Sequence, residues 1–184
     1  DSDEFTEHPY GNARITKEWV LDNGTNNLTA DELASYKAQL EKSLYFTIKN
    51  SAGKYITATG SNGVYKYASE STTEYKFSLR NGTFYISEIP TGVYTVEEHS
   101  TLGDYTIQSD NPVTITVTIN QTAQARFVNE RDTGNAEISK TWLNPDGLTA
   151  AQITELESNI KFTVTNSDGE YLKVSTVTDG KYIY

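Results

Sequence analysis

The stretch Arg14-Ile15-Thr16-Lys17-Glu18-Trp19, near the N-terminus, places a lysine where an apolar side chain is expected. In a β-strand alternate side chains share a face, so Lys17 lies between an isoleucine and a tryptophan while the polar side chains lie opposite. A lysine on an apolar face is costly to bury unless it serves a purpose. The same pattern recurs at Glu137-Ile138-Ser139-Lys140-Thr141-Trp142, which indicates that both lysines are functional.

The composition excludes several classes of function. The 184 residues, enough for one sizeable core or two modest ones, carry a formal net charge of -10 and contain no basic stripe. We therefore predict binding neither to nucleic acid nor to an anionic membrane surface. No run approaches the roughly 20 apolar residues of a membrane span. Without cysteine there is no disulfide, thiolate zinc site or cysteine nucleophile, so any covalent staple must use other chemistry.

We predict neither a metal ion nor a cofactor. The acidic start of the chain and the turn residue Asp168 lack the spacing of an EF-hand calcium loop, and solvated turn residues are the simpler interpretation.

The remaining pattern predicts an all-β fold with one short helix. Thirteen tyrosines, many threonines and repeated Asn-Gly or Asp-Gly pairs are typical of strands and tight turns. Thr29 and Glu32 form a capping box that begins a predicted helix over 29–42. Strands are predicted at 13–20, 45–49, 54–57, 64–67, 75–79, 83–86, 93–98, 113–119 and 122–129. Because no βαβ rhythm is present, this order indicates a β-sandwich with a helical insertion after its first strand.

An internal repeat begins near Asn135. Residues 148–152 resemble the helix start at 28–32, residues 162–169 resemble 46–53, and residues 179–182 resemble 62–65. We therefore divide the chain into a tail or linker (1–12), a complete domain (13–131) and the N-terminal half of a second domain (132–184). Half a sandwich leaves a sheet face and edges bare, so another chain or the rest of a larger protein is expected to supply the missing strands. The chain is expected to be a mature fragment, since it starts without a signal peptide.

Two further polar side chains lie on apolar faces of predicted strands. Glu98 shares its face with a tyrosine and a valine, and Asn129 shares its face with an alanine and a phenylalanine. Together with Lys17 they supply a carboxyl, a carboxamide and an amine. Burial favours the neutral, nucleophilic amine, the carboxamide carbonyl is the electrophile, and a protonated carboxyl polarises it and carries a proton to departing ammonia. These groups predict an amide bond between side chains.

The order K-x-W, G-x-Y-x-V-x-E and F-x-N resembles the collagen-adhesin B-type (Cna B-like) domains, which build the stalks of Gram-positive surface adhesins and pili. The resemblance implies an Ig-like or prealbumin-like β-sandwich with an intramolecular isopeptide bond. Lys17 matches the reactive lysine, Glu98 the catalytic acid and Asn129 the acceptor. The resemblance covers the first domain completely and the second as a half domain, and the helix departs from the plainest members. Lys140 matches the second reactive lysine but has no partners in this chain.

A non-covalent interpretation of the same residues stays open. Lys17 and Glu98 can form an unreacted buried ion pair with Asn129 as their hydrogen-bond partner, although such a pair is costly to desolvate. Trp19 and Trp142 are expected to pack around the lysines rather than to bind a ligand.

The resemblance also implies a function. We expect a structural stalk module of an extracellular, cell-wall-anchored surface protein, whose partners are the neighbouring domains of the same protein. The alternative is an adhesive module that binds a host matrix protein or glycan through exposed tyrosines. An enzyme acting on external substrates is not expected, because His8 lies in the tail and His99 on an outward face, so neither completes a triad. The cross-linking itself is an autocatalytic reaction with a single turnover.

Overall fold

The protein is described here from a computed structural model. The structure describes residues 9–21, 28–143, 147–174, 176–178 and 181–183. Contacts within the chain divide it into two compact units, Asp1–Asp132 and Thr133–Tyr184. Most of the predicted tail and part of the predicted repeat at 179–182 lie outside the described residues.

The first unit is a single curled β-sheet with a helix after its first strand. Its elements are β1 (Tyr10–Val20), α1 (Ala30–Glu41), β2 (Leu44–Asn50), β3 (Tyr55–Ser61), β4 (Val64–Ser71), β5 (Thr83–Pro90), β6 (Gly92–Ser100), β7 (Tyr105–Ile107), β8 (Val113–Val117) and β9 (Thr122–Arg131). The strands lie in the order β7-β9-β1-β5-β4-β3-β2-β6-β8. The predicted prealbumin-like β-sandwich with a helical insertion is confirmed.

The curl of the sheet packs strands from its two halves against one core. The ring of Phe46 in β2 lies 5.2 Å from that of Phe127 in β9 and 5.4 Å from that of Phe84 in β5, measured between centroids. All three side chains are fully buried. Since β2 is not a neighbour of β5 or β9 in the sheet, these contacts exist only because the sheet closes over its own inner face.

Residues 75–79, predicted as a strand, form none in the structure. Phe77 makes a single bridge to Phe46, with N–H to carbonyl distances of 2.9 and 3.0 Å. The apolar alternation of this segment is real, because Phe77 is fully buried and Tyr75 and Leu79 pack against the core. Alternation reports which side chains face inward, and it does not by itself supply a ladder of backbone partners.

One strand begins earlier than predicted, and one short strand was not predicted. β1 begins at Tyr10, three residues before the predicted strand, because Tyr10 and Gly11 pair with Pro90 and Ile89 of β5. The short strand β7 escapes the prediction because three residues are too few to show a period of two.

The Asn81-Gly82 pair forms a tight turn before β5. Both residues have positive φ, 52° and 75°, as the two central positions of a type I′ turn require. Arg80 and Thr83 close the turn with backbone hydrogen bonds of 2.9 and 3.3 Å. The carbonyl of Gly82 then accepts a hydrogen bond of 2.7 Å from the backbone N–H of Lys17, so the turn fixes β1 at its buried lysine.

Helix α1 begins at the predicted capping box. The Thr29 hydroxyl accepts from the Glu32 N–H at 3.3 Å, and Glu32 Oε2 accepts from the Thr29 N–H at 2.8 Å. Two residues anchor the helix: Leu40 is buried, and the Tyr36 hydroxyl lies 2.8 Å from that of Tyr105 in β7. The predicted helix after the first strand is confirmed.

The second unit contains α2 (Ala150–Ser158), β10 (Thr176–Thr178) and β11 (Lys181–Ile183). Helix α2 begins with the same capping box: Thr149 Oγ1 accepts from the Gln152 N–H at 3.3 Å, and Gln152 Oε1 accepts from the Thr149 N–H at 2.9 Å. Residues 137–142, which have the strand pattern of β1, form no strand in the structure. β1 is held between β5 and β9, and the described part of this unit has no pairing partner for 137–142.

Candidate cross-linking site

Three strands bring the predicted site residues together. Lys17 lies in β1 and Asn129 in β9, and these strands are parallel neighbours in which Lys17 is opposite Phe127 and Asn129 is opposite Trp19. Lys17 and Asn129 are therefore diagonal neighbours on the inner face of the sheet. Glu98 comes from β6, far from β1 and β9 in the strand order, and reaches them across the core because the sheet curls.

One carboxylate contacts both of the other groups. Glu98 Oε2 lies 2.7 Å from Lys17 Nζ, and Glu98 Oε1 accepts a hydrogen bond of 2.6 Å from Asn129 Nδ2. The exposed fractions of Lys17, Glu98 and Asn129 are 6%, 3% and 0%. The structure thus gathers an amine, a carboxyl and a carboxamide in the interior, in contact through hydrogen bonds alone.

The surroundings of Lys17 disfavour its charge. Burial lowers the pKa of Lys17 from its ordinary value, and the hydrogen bond and negative charge of Glu98 oppose that shift. The Nζ atom also lies 4.7 Å from the centroid of the Trp19 ring, whose edge contact with Tyr105 at 5.3 Å holds the indole in place. The indole gives the amine an apolar wall with a weak cation–π contact.

The carbonyl oxygen of Asn129 has no hydrogen-bond partner in the described structure. Among the described residues, Asn129 Oδ1 is buried and accepts no hydrogen bond, whereas Nδ2 of the same group donates to Glu98. The nitrogen that would leave in an amide exchange is therefore already in contact with the carboxyl that would give it a proton. Trp19 Nε1, on the residue opposite Asn129, is likewise buried without a partner in the described structure.

Tyrosines next to the site were missed by the sequence analysis. Tyr105 packs on Trp19 and meets Tyr36 of α1, which also accepts a hydrogen bond of 3.2 Å from Arg131 Nη1. Burial and the Tyr36 hydroxyl raise the pKa of Tyr105, which keeps this phenol neutral. A strand of three residues gives no periodic signal, so the sequence offered nothing to place Tyr105 at the site.

In the second unit the equivalent lysine lies in a different environment. Lys140 is exposed, not on a buried face, because residues 137–142 belong to no sheet in the structure. Its Nζ nevertheless lies 4.9 Å from the centroid of the Trp142 ring, close to the spacing of the Lys17 and Trp19 pair. The lysine and tryptophan contact is thus local, whereas burial of the lysine requires the other strands.

Other candidate sites contribute nothing to this arrangement. His99 faces outward, stacked on Tyr45 at 4.6 Å with its Nε2 at 3.0 Å from Thr47 Oγ1, and His8 lies outside the described residues. Over the described residues no group of three or more acidic, histidine or cysteine side chains is placed to hold a metal ion. Within the same residues, neither helix has the length and apolar character needed to cross a membrane.

Comparison with known proteins agrees with the fold. The family model described as SpaA, prealbumin-like fold domain, matches residues 44–131, which is slightly less than half of the chain. This range includes Glu98 and Asn129, while Lys17 precedes it. No curated protein matches the chain.

Several solved structures of pilins are similar to the chain. The minor pilin GBS52 of Streptococcus agalactiae is 18% identical with a TM-score of 0.42, and the alignment covers 72% of this chain and 49% of that one. A mutant of the shaft pilin SpaA from Lactobacillus rhamnosus GG is 14% identical with a TM-score of 0.44, covering 69% and 48%. The group B streptococcus pilus 2b backbone protein is 20% identical with a TM-score of 0.39, covering 67% and 42%. The chain therefore spans less than half the length of these pilins.

Proposed function

We propose that the first unit is a structural stalk module of a Gram-positive cell-surface adhesin or pilus, made rigid by an isopeptide bond between Lys17 and Asn129 that forms with the help of Glu98. The observation that carries the proposal is the buried contact of one carboxylate with both reactants, at 2.7 and 2.6 Å. Charged and polar groups are rarely buried together without a role, and an amine beside a carboxamide has a defined reaction available.

The proposed reaction exchanges one carbon–nitrogen bond for another. A proton moves from the Lys17 ammonium to Glu98 across the 2.7 Å contact, which leaves a neutral amine and a neutral acid. The amine attacks the Asn129 side-chain carbonyl carbon, and Glu98 passes a proton to Nδ2 across the 2.6 Å contact while accepting one from the attacking nitrogen. The bond from the carbonyl carbon to Nδ2 then breaks, and the nitrogen leaves as ammonium with the remaining proton of Glu98.

The lowered pKa of Lys17 favours the first step. Burial is its largest cause, and the apolar wall of Trp19 contributes to the same environment. Holding both reactants in one rigid core removes much of the entropy lost when free molecules meet, and this supplies a large part of the rate enhancement.

The bond would add a covalent cross-link between two neighbouring strands of the sheet. It would join the first and last strands of the unit, which are already parallel neighbours. Closing a loop of about 110 residues stabilises a fold by on the order of 4–5 kcal/mol in the chain-entropy estimate for disulfides. Tension that enters at β1 and leaves at β9 would pass through the bond, and the strands between them would carry none of it. A surface stalk exposed to shear and proteases needs this property.

Single-molecule extension tests the mechanical role. The full chain, held at its two ends, is expected to show no extension step from the residues between β1 and β9. The Asn129→Ala variant, which has no acceptor, is expected to release them in an unfolding step. Asn50→Ala, which removes a carboxamide from a turn at the end of β2, is the matched control and should behave as the wild type. If the wild type and Asn129→Ala extend alike, the proposed bond between Lys17 and Asn129 does not exist.

We further propose that residues 132–184 are the N-terminal half of a second domain of the same kind, and that the complete domain includes strands from the remainder of the surface protein or from another chain. In the first unit the inward positions Phe46 and Ile48 lie buried in the core, whereas the equivalent Phe162 and Val164 are exposed. Amide hydrogen exchange tests this proposal. Amides of 161–174 should exchange rapidly in this chain and become protected in a longer chain that includes the missing strands.

A further inference from the structure

The backbone of Glu98 lies where β6 loses one of its two neighbours. On one side β6 pairs with β2 as far as Leu44 and Ser100. On the other side its pairing with β8 ends at Val96 and Val113, two residues before Glu98. The N–H and C=O of Glu98 on this side therefore have no strand to bond, although the residue carries the carboxyl on which the proposed reaction depends.

The side chain of Asn111 fills the place of the missing strand. Its Oδ1 accepts from the Glu98 N–H at 2.9 Å, and its Nδ2 donates to the Glu98 carbonyl at 2.9 Å. A carboxamide is a planar group with one acceptor and a donor, so it mimics the peptide unit that a paired strand would present. Asn111 itself is solvent-exposed, so these two bonds, and not core packing, are its contribution.

We propose that Asn111 is a positioning residue for the cross-linking reaction. Its two hydrogen bonds hold the backbone of Glu98 in the position from which the Glu98 carboxyl contacts both Lys17 and Asn129. The inference rests on the proposed function, because it concerns the same reaction. Since Glu98 reaches across the core from a different part of the sheet, a small shift of its strand end breaks one or both contacts. Misplacement of a catalytic group by about 1 Å can slow a reaction by about 100-fold.

The kinetic test follows loss of ammonia by intact mass after pulse-labelled synthesis of the full chain. Asn111→Ala is expected to fold and to cross-link about 10-fold to 100-fold more slowly than the wild type. The matched control is Asn50→Ala, since Asn50 Oδ1 also accepts two backbone N–H groups, at 3.0 and 2.9 Å, but lies in a turn away from Glu98. Its rate should equal that of the wild type. A folded Asn111→Ala protein that reacts at the wild-type rate overturns the inference.

A second measurement does not depend on the reaction. In the Asn129→Ala background, which cannot cross-link, the side-chain amine of Lys17 is titrated by NMR with and without Asn111→Ala. Because the hydrogen bond and charge of Glu98 raise the pKa of Lys17, loss of Asn111 should lower that pKa further. An unchanged pKa shows that Glu98 stays in place without Asn111, which refutes the inference.

The two proposals fail in different ways. A wild-type chain that never loses ammonia overturns the cross-link, while the NMR titration still decides whether Asn111 positions Glu98. If Asn111→Ala does not fold, both measurements are made on Asn111→Ser, a neutral residue whose single, shorter hydroxyl cannot bond the N–H and the carbonyl of Glu98 together. That variant should show the same slowing and the same direction of pKa change, and wild-type behaviour in it overturns the inference.

Discussion

The two units of this chain share local sequence but differ in how much of it becomes packed structure. Two equivalent turns have the same backbone hydrogen bond. Asn50 N–H donates to the Lys54 carbonyl at 2.9 Å, and Asn166 N–H donates to the Glu170 carbonyl at 3.0 Å. The side-chain Oδ1 of each asparagine also accepts from two backbone N–H groups of its own turn. The capping boxes of α1 and α2 repeat in the same way.

Strand β2 does not repeat, whereas the second unit does contain one short antiparallel pair, β10 with β11. β2 is a strand of seven residues, whereas the matching region of the second unit makes one bridge, Thr165 with Tyr171, equivalent to that of Lys49 with Tyr55. Caps and Asx turns satisfy their backbone groups with neighbours in sequence, so they form wherever the residues occur. Strands and buried lysines need distant partners. The comparison therefore separates what a short segment specifies alone from what the complete sheet adds.

The largest difference in stability is expected between substitutions of the two lysines. Lys17→Ala removes the proposed bond and should lower the free energy of unfolding of the first unit by on the order of 4–5 kcal/mol. Lys140→Ala removes an exposed side chain and should change stability by less than about 0.5 kcal/mol. Chemical denaturation followed by circular dichroism measures both. Equal effects would mean that Lys17 is no more constrained by its surroundings than Lys140.

Truncation of the paired phenylalanines should give the next largest contrast. Phe46 is fully buried among aromatic rings, so Phe46→Ala is expected to destabilise the first unit by about 3–5 kcal/mol. Phe162 is 57% exposed, so Phe162→Ala should cost less than about 1 kcal/mol in this chain. In a longer chain that completes the second domain, Phe162→Ala should destabilise that domain by nearly as much as Phe46→Ala destabilises the first unit. No increase there would count against the proposed half domain.

A pH effect should be confined to the first unit when the bond is absent. In Asn129→Ala, Lys17 stays unreacted with a pKa below its unfolded value of 10.5, so the unfolded chain binds more protons than the folded one between the two values. Stability should therefore rise with pH from the folded pKa towards 10.5. Urea denaturation below about pH 10 measures the effect, because tyrosines such as Tyr94, whose pKa burial raises to about 12, oppose it above that point.

The control for this titration is Lys17→Met in the same Asn129→Ala background. It removes the titrating amine and keeps most of the side-chain volume, so the rise with pH should disappear. A rise of the same size in both variants would assign the effect to other groups.

The smallest and most equal effects are expected at the caps. Thr29→Ala and Thr149→Ala each remove the hydroxyl of a capping box and should destabilise their helices by about 1 kcal/mol. Amide exchange at Leu33 and Ile153, which donate to the capping residues at 2.9 and 3.0 Å, measures each helix separately. A loss at α1 without one at α2 would contradict the view that these elements form locally.

Much of the site could be predicted from the sequence, because the direction of a side chain in a strand is a local property. Alternation turned Lys17, Glu98 and Asn129 towards apolar faces, and the structure buries all three. The capping box of α1 was accessible for the same reason, since it depends on two residues three positions apart. That these groups react stays a prediction.

The rest required information that no short segment contains. The crossing of β6 over β1 and β9 follows from the curl of the whole sheet, and a pattern of period two does not encode it. Asn111 gave no signal, because an exposed asparagine before a strand looks like any turn residue. The period-two alternation also wrongly predicted a strand at residues 137–142. The alternation is present there, but the described structure contains no strand that pairs with this segment. Direction is local, whereas pairing is a property of the fold.

The intact mass of the purified wild-type chain tests the central claim most directly. We predict a mass lower than the calculated value by one ammonia molecule, with the peptides containing Lys17 and Asn129 joined after digestion. Lys17→Ala should appear at its own calculated mass, and Lys140→Ala should show the same loss of ammonia as the wild type. A wild-type chain at its full calculated mass would contradict the account, and the buried triplet would then be an unreacted ion pair with a hydrogen-bonded amide.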